Sequence, residues 1–257
     1  MTVSDGFARQ RESNTKLGFH QSHYDYSLFT RQVDSDILVV LGYVDDLLVT
    51  GSNTGLVEDT KRGLQKQFKM KDLGELKFFL GIECARSSQG IHMSQRKYAL
   101  KLIAECGLGG AKPIGTPLEH NKKLTSVKYD EHISHEGRVD DQLLQQPEMY
   151  QRLVGRVLYL TMTRPDIAFS VQVLSQYMHN PKKSHMESVL RVVRYLKEAL
   201  GLGLLMSSKY TNTLTAYYDS DWGACLETRR FVTGYLVKFG GSLISWKSKK
   251  QETVSRS

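Results

Sequence analysis

Ile37-Leu38-Val39-Val40-Leu41-Gly42-Tyr43-Val44-Asp45-Asp46-Leu47-Leu48-Val49 is an apolar run broken once, by two adjacent carboxylates. Its first half is too uniformly apolar for a half-exposed strand and predicts a central strand ending at Tyr43. Asp45-Asp46 then fill a turn before Leu47-Leu48-Val49, so the stretch predicts a β-hairpin with both acids at its tip. Charge at a strand end is costly, and a divalent metal readily offsets that cost.

Working outward, residues 1–16 show no helical or strand period and read as a disordered leader. Tyr26–Thr30 predicts the strand before the hairpin, joined to it through a polar turn at Asp34-Ser35. Downstream, Asn53 or Thr54 can cap a helix whose Val57, Thr60, Leu64 and Phe68 face the sheet. A second hairpin is predicted at Phe78–Cys84 and Ile91–Met93 around Ser87–Gly90, then a helix over Arg96–Glu105 stopped by Gly107. Pro113 to Pro147 is polar and reads as a long connection with little core of its own.

Beyond it the period becomes helical. Leu153, Val154, Val157 and Leu158 share one side of Gln151–Met162, and Pro165 opens a second helix carrying Ile167, Val171, Leu174 and Met178. Ser184 and Glu187 form a capping-box pattern for a third, which Gly201 ends. From Thr213 the period returns to strand, in Leu214–Tyr218, Phe231–Phe239 and Ser242–Trp246. The fold class is α+β, and the final three strands look like a sheet cut short.

With 257 residues and 40% hydrophobic content the chain can bury a core. Lys+Arg number 35 against 27 Asp+Glu, a formal net charge of +8, which favours polyanionic partners. Cys84, Cys106 and Cys225 are odd in number and widely spaced, which argues against a disulfide framework or zinc site and for thiols in a reducing compartment. None of the eight histidines has the neighbours that catalysis requires. The N-terminus has no export pattern and no window is apolar enough to span a bilayer. The expectation is an intracellular protein, cytoplasmic or nuclear with an organelle still open, and no membrane partner.

Nucleotidyl transfer needs two Mg²⁺ about 3.5–4 Å apart, held by carboxylates. Asp45 and Asp46 supply two such groups if the backbone turns there, since neighbours on a straight strand point to opposite faces. Tyr43 would sit beside the metals against a primer end. The alternative is a solvated Asp turn, common for conformational reasons alone. Lys182, Lys183, Arg191 and Arg194, with Lys247, Lys249 and Lys250, are candidate phosphate contacts of a primer–template. The alternative for each is a solvated helix face or basic tail. Trp222 and Trp246 could stack on bases, although in strand-rich segments they are more often core.

Leu38 through Asn53, Met70 through Ile82, Tyr150 through Ile167 with its Thr163-Arg164-Pro165-Asp166-Ile167, and Asp219-Ser220-Asp221-Trp222 through Gln251 resemble, in order and spacing, the Pol polyprotein of copia-type LTR retrotransposons. The first three blocks match the reverse transcriptase and the last the start of its ribonuclease H domain. The resemblance implies a partial polymerase palm over 17–95, a helical thumb and connection over 96–212, and the N-terminal part of a ribonuclease H domain, a truncated sheet, over 213–257. It implies Mg²⁺ as cofactor, Asp45 and Asp46 as catalytic and metal-binding acids, Asp219 as the first ribonuclease ligand, and an RNA or DNA primer–template as partner. The family also places an aspartate on an earlier palm strand. Asp5, Asp25, Asp34 and Asp36 do not match its pattern, and the later ribonuclease acids have no counterpart here. The isolated chain is therefore expected to be inactive, with an upstream polymerase segment as a further partner. A second reading stays open: a non-catalytic retroelement remnant that binds nucleic acid or serves as an interaction module.

Overall fold

The computed structural model describes residues 17–119, 123–133, 141–209, 211–221 and 227–252. The leader 1–16, Trp222, Cys225 and residues 253–257 lie outside them. The chain forms two compact units, dividing between Phe79 and Leu80; the sequence had put the end of its first subdomain at residue 95.

The first unit is an antiparallel sheet in the order β1 (His20–Gln21), β2 (Leu28–Val33), β3 (Asp36–Tyr43), β4 (Asp46–Gly51), followed by helix α1 (Thr54–Gln67) and the short strand β5 (Phe78–Phe79). Asn53 caps α1 as expected, its side-chain oxygen accepting from Gly55 N at 2.9 Å and Leu56 N at 3.3 Å. Leu56 and Val57 of α1 pack with Leu47 and Val49 against the buried Phe19, Phe29, Leu38 and Val40.

β3 is central in this sheet, yet its burial alternates, which corrects the expectation of a strand buried on both sides. Leu38 and Val40 point to the α1 side and are closed off, whereas Ile37 on the opposite face is 52% exposed. Val39 and Leu41 share that open face and are half-buried.

The second unit begins with the hairpin β6 (Ile82–Ser87) and β7 (Gly90–Ser94), which pairs onward with β8 (Leu204–Ser207). The hairpin starts later than the sequence suggested, because Leu80 and Gly81 both adopt positive φ and interrupt the strand. Helix α2 (Arg96–Glu105) has the expected bounds, with Gly107 at φ 67° just past its end.

The core of this unit is a helical bundle: α4 (Pro147–Leu160), α5 (Ala168–Ser175) and α6 (Lys183–Leu196) bury Tyr150, Val157, Leu174, Val192 and Leu196 together with Leu102 of α2. The 113–147 connection is less bare than its composition implied. It carries helix α3 (Val127–Ile133), and Pro147 is the first residue of α4.

α6 begins one residue ahead of the predicted capping box, and its cap uses different partners. Lys182 N donates to His185 Nδ1 at 3.0 Å, while Ser184 N and Oγ donate to Asp141 at 3.0 and 2.6 Å. The last strands, β9 (Leu214–Asp221), β10 (Val232–Phe239) and β11 (Ser242–Lys250), form an antiparallel sheet in the order β11-β10-β9. β11 runs through the lysines that had looked like a tail, and Trp246 Nε1 donates to Thr161 O at 3.0 Å, tying the sheet to the bundle.

Candidate active site and nucleic-acid contacts

β3 and β4 pair without a slip from Leu38↔Gly51 to Tyr43↔Asp46, so the turn is Val44-Asp45, and Asp46 is the first residue of β4. The sequence had placed both acids in the turn. Tyr43 and Asp46 are directly opposite each other and share the open face of the sheet with Leu41 and Leu48.

Asp45 sits in the turn and both carboxylates are solvent-exposed. Tyr43 and Val44 are 54% and 68% exposed, so the apex presents an aromatic ring, an aliphatic group and two acids together. Val44 has φ 52°. A β-branched residue in the left-handed region is a genuine outlier, of the kind that concentrates at functional sites.

Among the described residues no group of three or more His, Cys, Asp or Glu side chains could hold a metal ion. Two carboxylates suit one Mg²⁺, which keeps several waters and takes its remaining ligands from a substrate. They fall short of what two ions need. Asp219 lies in the second unit, exposed on β9, with its Oδ1 accepting from Ser220 N at 2.9 Å.

Each of the four cations around α6 has a partner within the chain, and Lys182 is buried. Lys182 is only 3% exposed: its Nζ lies 2.5 Å from Asp130 Oδ2, 3.0 Å from Asp141 Oδ2 and 3.2 Å from Thr125 Oγ1. Burial pulls its pKa down, and the two carboxylates overrule that to hold it above the ordinary lysine value. A phosphate cannot reach it, so Lys182 is corrected from a nucleic-acid contact to a buried ion-pair residue.

Lys183 is exposed but donates to Gln142 Oε1 at 2.7 Å. Arg191 donates from Nη2 to Thr116 Oγ1 at 3.0 Å and from Nη1 to Glu119 Oε1 at 3.3 Å, and Arg194 Nε donates to Lys112 O at 3.1 Å. Each of these bonds fastens the 112–142 connection to α6. Nothing in their sequence spacing signals this, because their partners are 41 to 82 residues away. Lys197 Nζ adds bonds to Leu108 O at 2.7 Å and Gly109 O at 2.8 Å.

His185 is fully buried beneath this clamp and stacks on Tyr177 with ring centroids 4.0 Å apart. Burial, reinforced by the Lys182 charge, pushes its pKa down to about 4. The same region borders a solvent-open cavity of about 800 Å³ with Leu108, Phe169 and Leu190 among its apolar walls and Arg191, Asp221 and Lys250 among its polar ones. Lys247 and Lys249 are exposed on the far face of β11, so the three candidate lysines of that strand do not act on one surface.

Residues 10–120 match the family model described as reverse transcriptase (RNA-dependent DNA polymerase). A mitochondrial protein of Arabidopsis thaliana, described only as uncharacterized, is 36% identical over 222 residues that cover 86% of each chain. The retrovirus-related Pol polyprotein from transposon RE2 of the same plant is 40% identical over 94% of this chain. The chain belongs to the reverse transcriptase family of copia-type retrotransposons.

The Pol polyprotein from transposon TNT 1-94 of Nicotiana tabacum is 35% identical over 89% of this chain. The chain spans 16% of the RE2 polyprotein and 17% of the TNT 1-94 polyprotein. No solved structure matches. The reverse transcriptase model covers the β3–β4 hairpin and α1, so the strained carboxylate apex lies within the matched residues.

Proposed function

We propose that the first unit is part of a polymerase palm and that its β3–β4 apex carries catalytic carboxylates of an RNA-directed DNA polymerase. The helices after it serve as thumb and connection, and β9–β11 open a ribonuclease H domain. The observation that carries the reading is the apex itself: Tyr43, Asp45 and Asp46 are exposed at one hairpin tip around a Val44 held at φ 52°.

Mg²⁺, when bound, supplies the positive charge that activates a primer 3′-hydroxyl and neutralises a departing pyrophosphate. In this chain Asp45 and Asp46 would hold it. Tyr43, on the same face as Asp46, would support the primer end, and the open apolar face behind it would back the nascent pair. Asp219 has the role of a first ribonuclease ligand in this reading.

Two carboxylates without a third metal-ligating partner among the described residues favour one ion over two. Polymerisation by this chain therefore needs a further carboxylate from another polymerase segment, which makes such a segment the expected partner alongside a primer–template. A second reading, a non-catalytic remnant, is favoured by the same observation.

The test has two parts. Mn²⁺ binding, read by electron paramagnetic resonance as a stand-in for Mg²⁺, should show one weak site lost in Asp46→Asn. Primer extension on a homopolymer template should appear only when the upstream polymerase segment of a related Pol polyprotein is added, and should vanish in Asp45→Asn. Metal binding that is indifferent to both substitutions would refute the catalytic reading, and binding without any complemented extension would select the remnant.

A further inference from the structure

The sheet β9–β10–β11 separates its side chains sharply by face. Gly234 pairs with Asp219 and Ser248, and Val232 with Asp221 and Lys250, so both acids of β9 lie on one side, where Asp221 and Lys250 line the cavity. The other side is built from the alternate rows. Tyr235 pairs with Tyr218 and with Lys247, and Thr233 pairs with Ser220 and with Lys249.

This second face therefore carries two tyrosines directly opposite each other on neighbouring strands, whose backbones lie about 4.8 Å apart, followed by a lysine in the same row. Lys249 stands about 7 Å further along the strand. Tyr218 is 89% exposed and Tyr235 45%. Lys247 and Lys249 are exposed too. None of the residues that these strands place on this face is acidic, in a chain of net charge +8.

We infer that this face binds single-stranded nucleic acid, with successive bases stacked on Tyr218 and Tyr235 and the backbone phosphates met by Lys247 and Lys249. Every base offers a π-face, so such a platform recognises a single strand of RNA or DNA without reading its sequence. A duplex hides those π-faces and offers only its phosphates. An amphipathic helix is the competing occupant, since Leu214 and Phe239 extend the face with apolar groups 67% and 44% exposed. The two lysines and the hydroxyl of Ser220 argue against it, because an apolar helix would strand those groups without water. The inference rests on the nucleic-acid reading of Lys247 and Lys249 and not on metal chemistry at Asp45.

The experiment is fluorescence anisotropy of the full chain with labelled dodecamers of deoxythymidine and of uridine, and with a labelled duplex of equal length. Tyr218→Ala and Tyr235→Ala should each weaken single-strand binding about tenfold or more. Tyr218→Phe, which keeps the ring, should retain it. Replacing Lys247 and Lys249 together by alanine should lower the slope of log affinity against log salt by about 1.4. Binding is measured in EDTA without divalent metal, so failure of the metal reading at the polymerase apex would leave this result intact. Equal binding of single strand and duplex with no effect of the tyrosine changes would overturn the inference. So would tyrosine variants that abolish self-association while leaving oligonucleotide affinity unchanged, since the face would then be a protein-docking surface.

Discussion

Replacing Lys182 by methionine keeps the methylene stem and removes only the ammonium. In the native unit that ammonium is 3% exposed and lies between Asp130 and Asp141, whose side chains are 33% and 10% exposed. Breaking a buried ion pair by deleting one partner typically costs about 3–5 kcal/mol, because the remaining charge stays desolvated. Two features reduce that figure here. Asp130 reaches solvent, and Asp141 keeps the Ser184 N and Oγ bonds that, against the upward pull of burial, help hold its pKa below the usual aspartate range.

The expected loss is about 2–3 kcal/mol. With a urea slope of about 2 kcal/mol per molar, the midpoint of the second unit falls by about 1–1.5 M. A double-mutant cycle with Asp141→Asn should show coupling of more than about 1 kcal/mol, since the two groups touch. A solvated lysine would give a different pattern: an unchanged urea midpoint and a weaker affinity for nucleic acid. That result would refute the clamp and restore Lys182 as a phosphate contact.

Acidification tests the same region through His185. Its folded pKa of about 4 lies below the ordinary 6.5, so the unfolded state binds the proton more readily. The contribution is therefore complete above about pH 6.5 and is lost as pH falls toward 4, by on the order of 3 kcal/mol. His185→Phe should flatten stability between those limits in urea titrations at several pH values, and a curve as steep as the parent's would count against it. At the hairpin apex, Val44→Asn should raise the thermal midpoint of the first unit by the equivalent of about 1 kcal/mol, because asparagine tolerates φ 52° where valine does not; no gain would mean the turn relaxes freely. Gly90→Ala should destabilise the second unit by more than about 3 kcal/mol in urea, since a Cβ there would meet Met206 O at 2.0 Å and φ is 139°.

The hairpin and α1 were legible because their signals are local: an apolar run, two acids, and Asn53 before a helical period. α2 was legible to its end residues for the same reason, with Gly107 closing it. α3 was not, because residues 127–133 present no apolar stripe. Neighbouring side chains hold that segment instead, Asp130 through Lys182, and Leu124 O through a 2.8 Å bond from Tyr177. The outward continuation of β11 was hidden by composition. Lys247-Ser248-Lys249-Lys250 reads as a tail, although exposed Lys247 and Lys249 alternate with half-buried Ser248 and Lys250 in the period of a strand. Within the candidate site, the acids were visible, but the strain at Val44 was not, since no residue type announces a positive φ that it disfavours.

The distribution of charge follows from these differences. The sequence offered the cations around α6 and the lysines of β11 alike as phosphate contacts, yet the bonds of Lys182, Arg191 and Arg194, and of the neighbouring Lys197, run to Asp130, Asp141, Glu119 and backbone carbonyls of the connection. A guanidinium held by Thr116 and Glu119 can meet a phosphate only by giving up those partners, which offsets most of the gain. Among the described residues no side chain holds the ammonium of Lys247 or Lys249 in this way. Lys247 and Lys249 are therefore better placed to attract nucleic acid than the cations around α6, and the net charge of +8 says less about where a polyanion lands than the partners each cation already has.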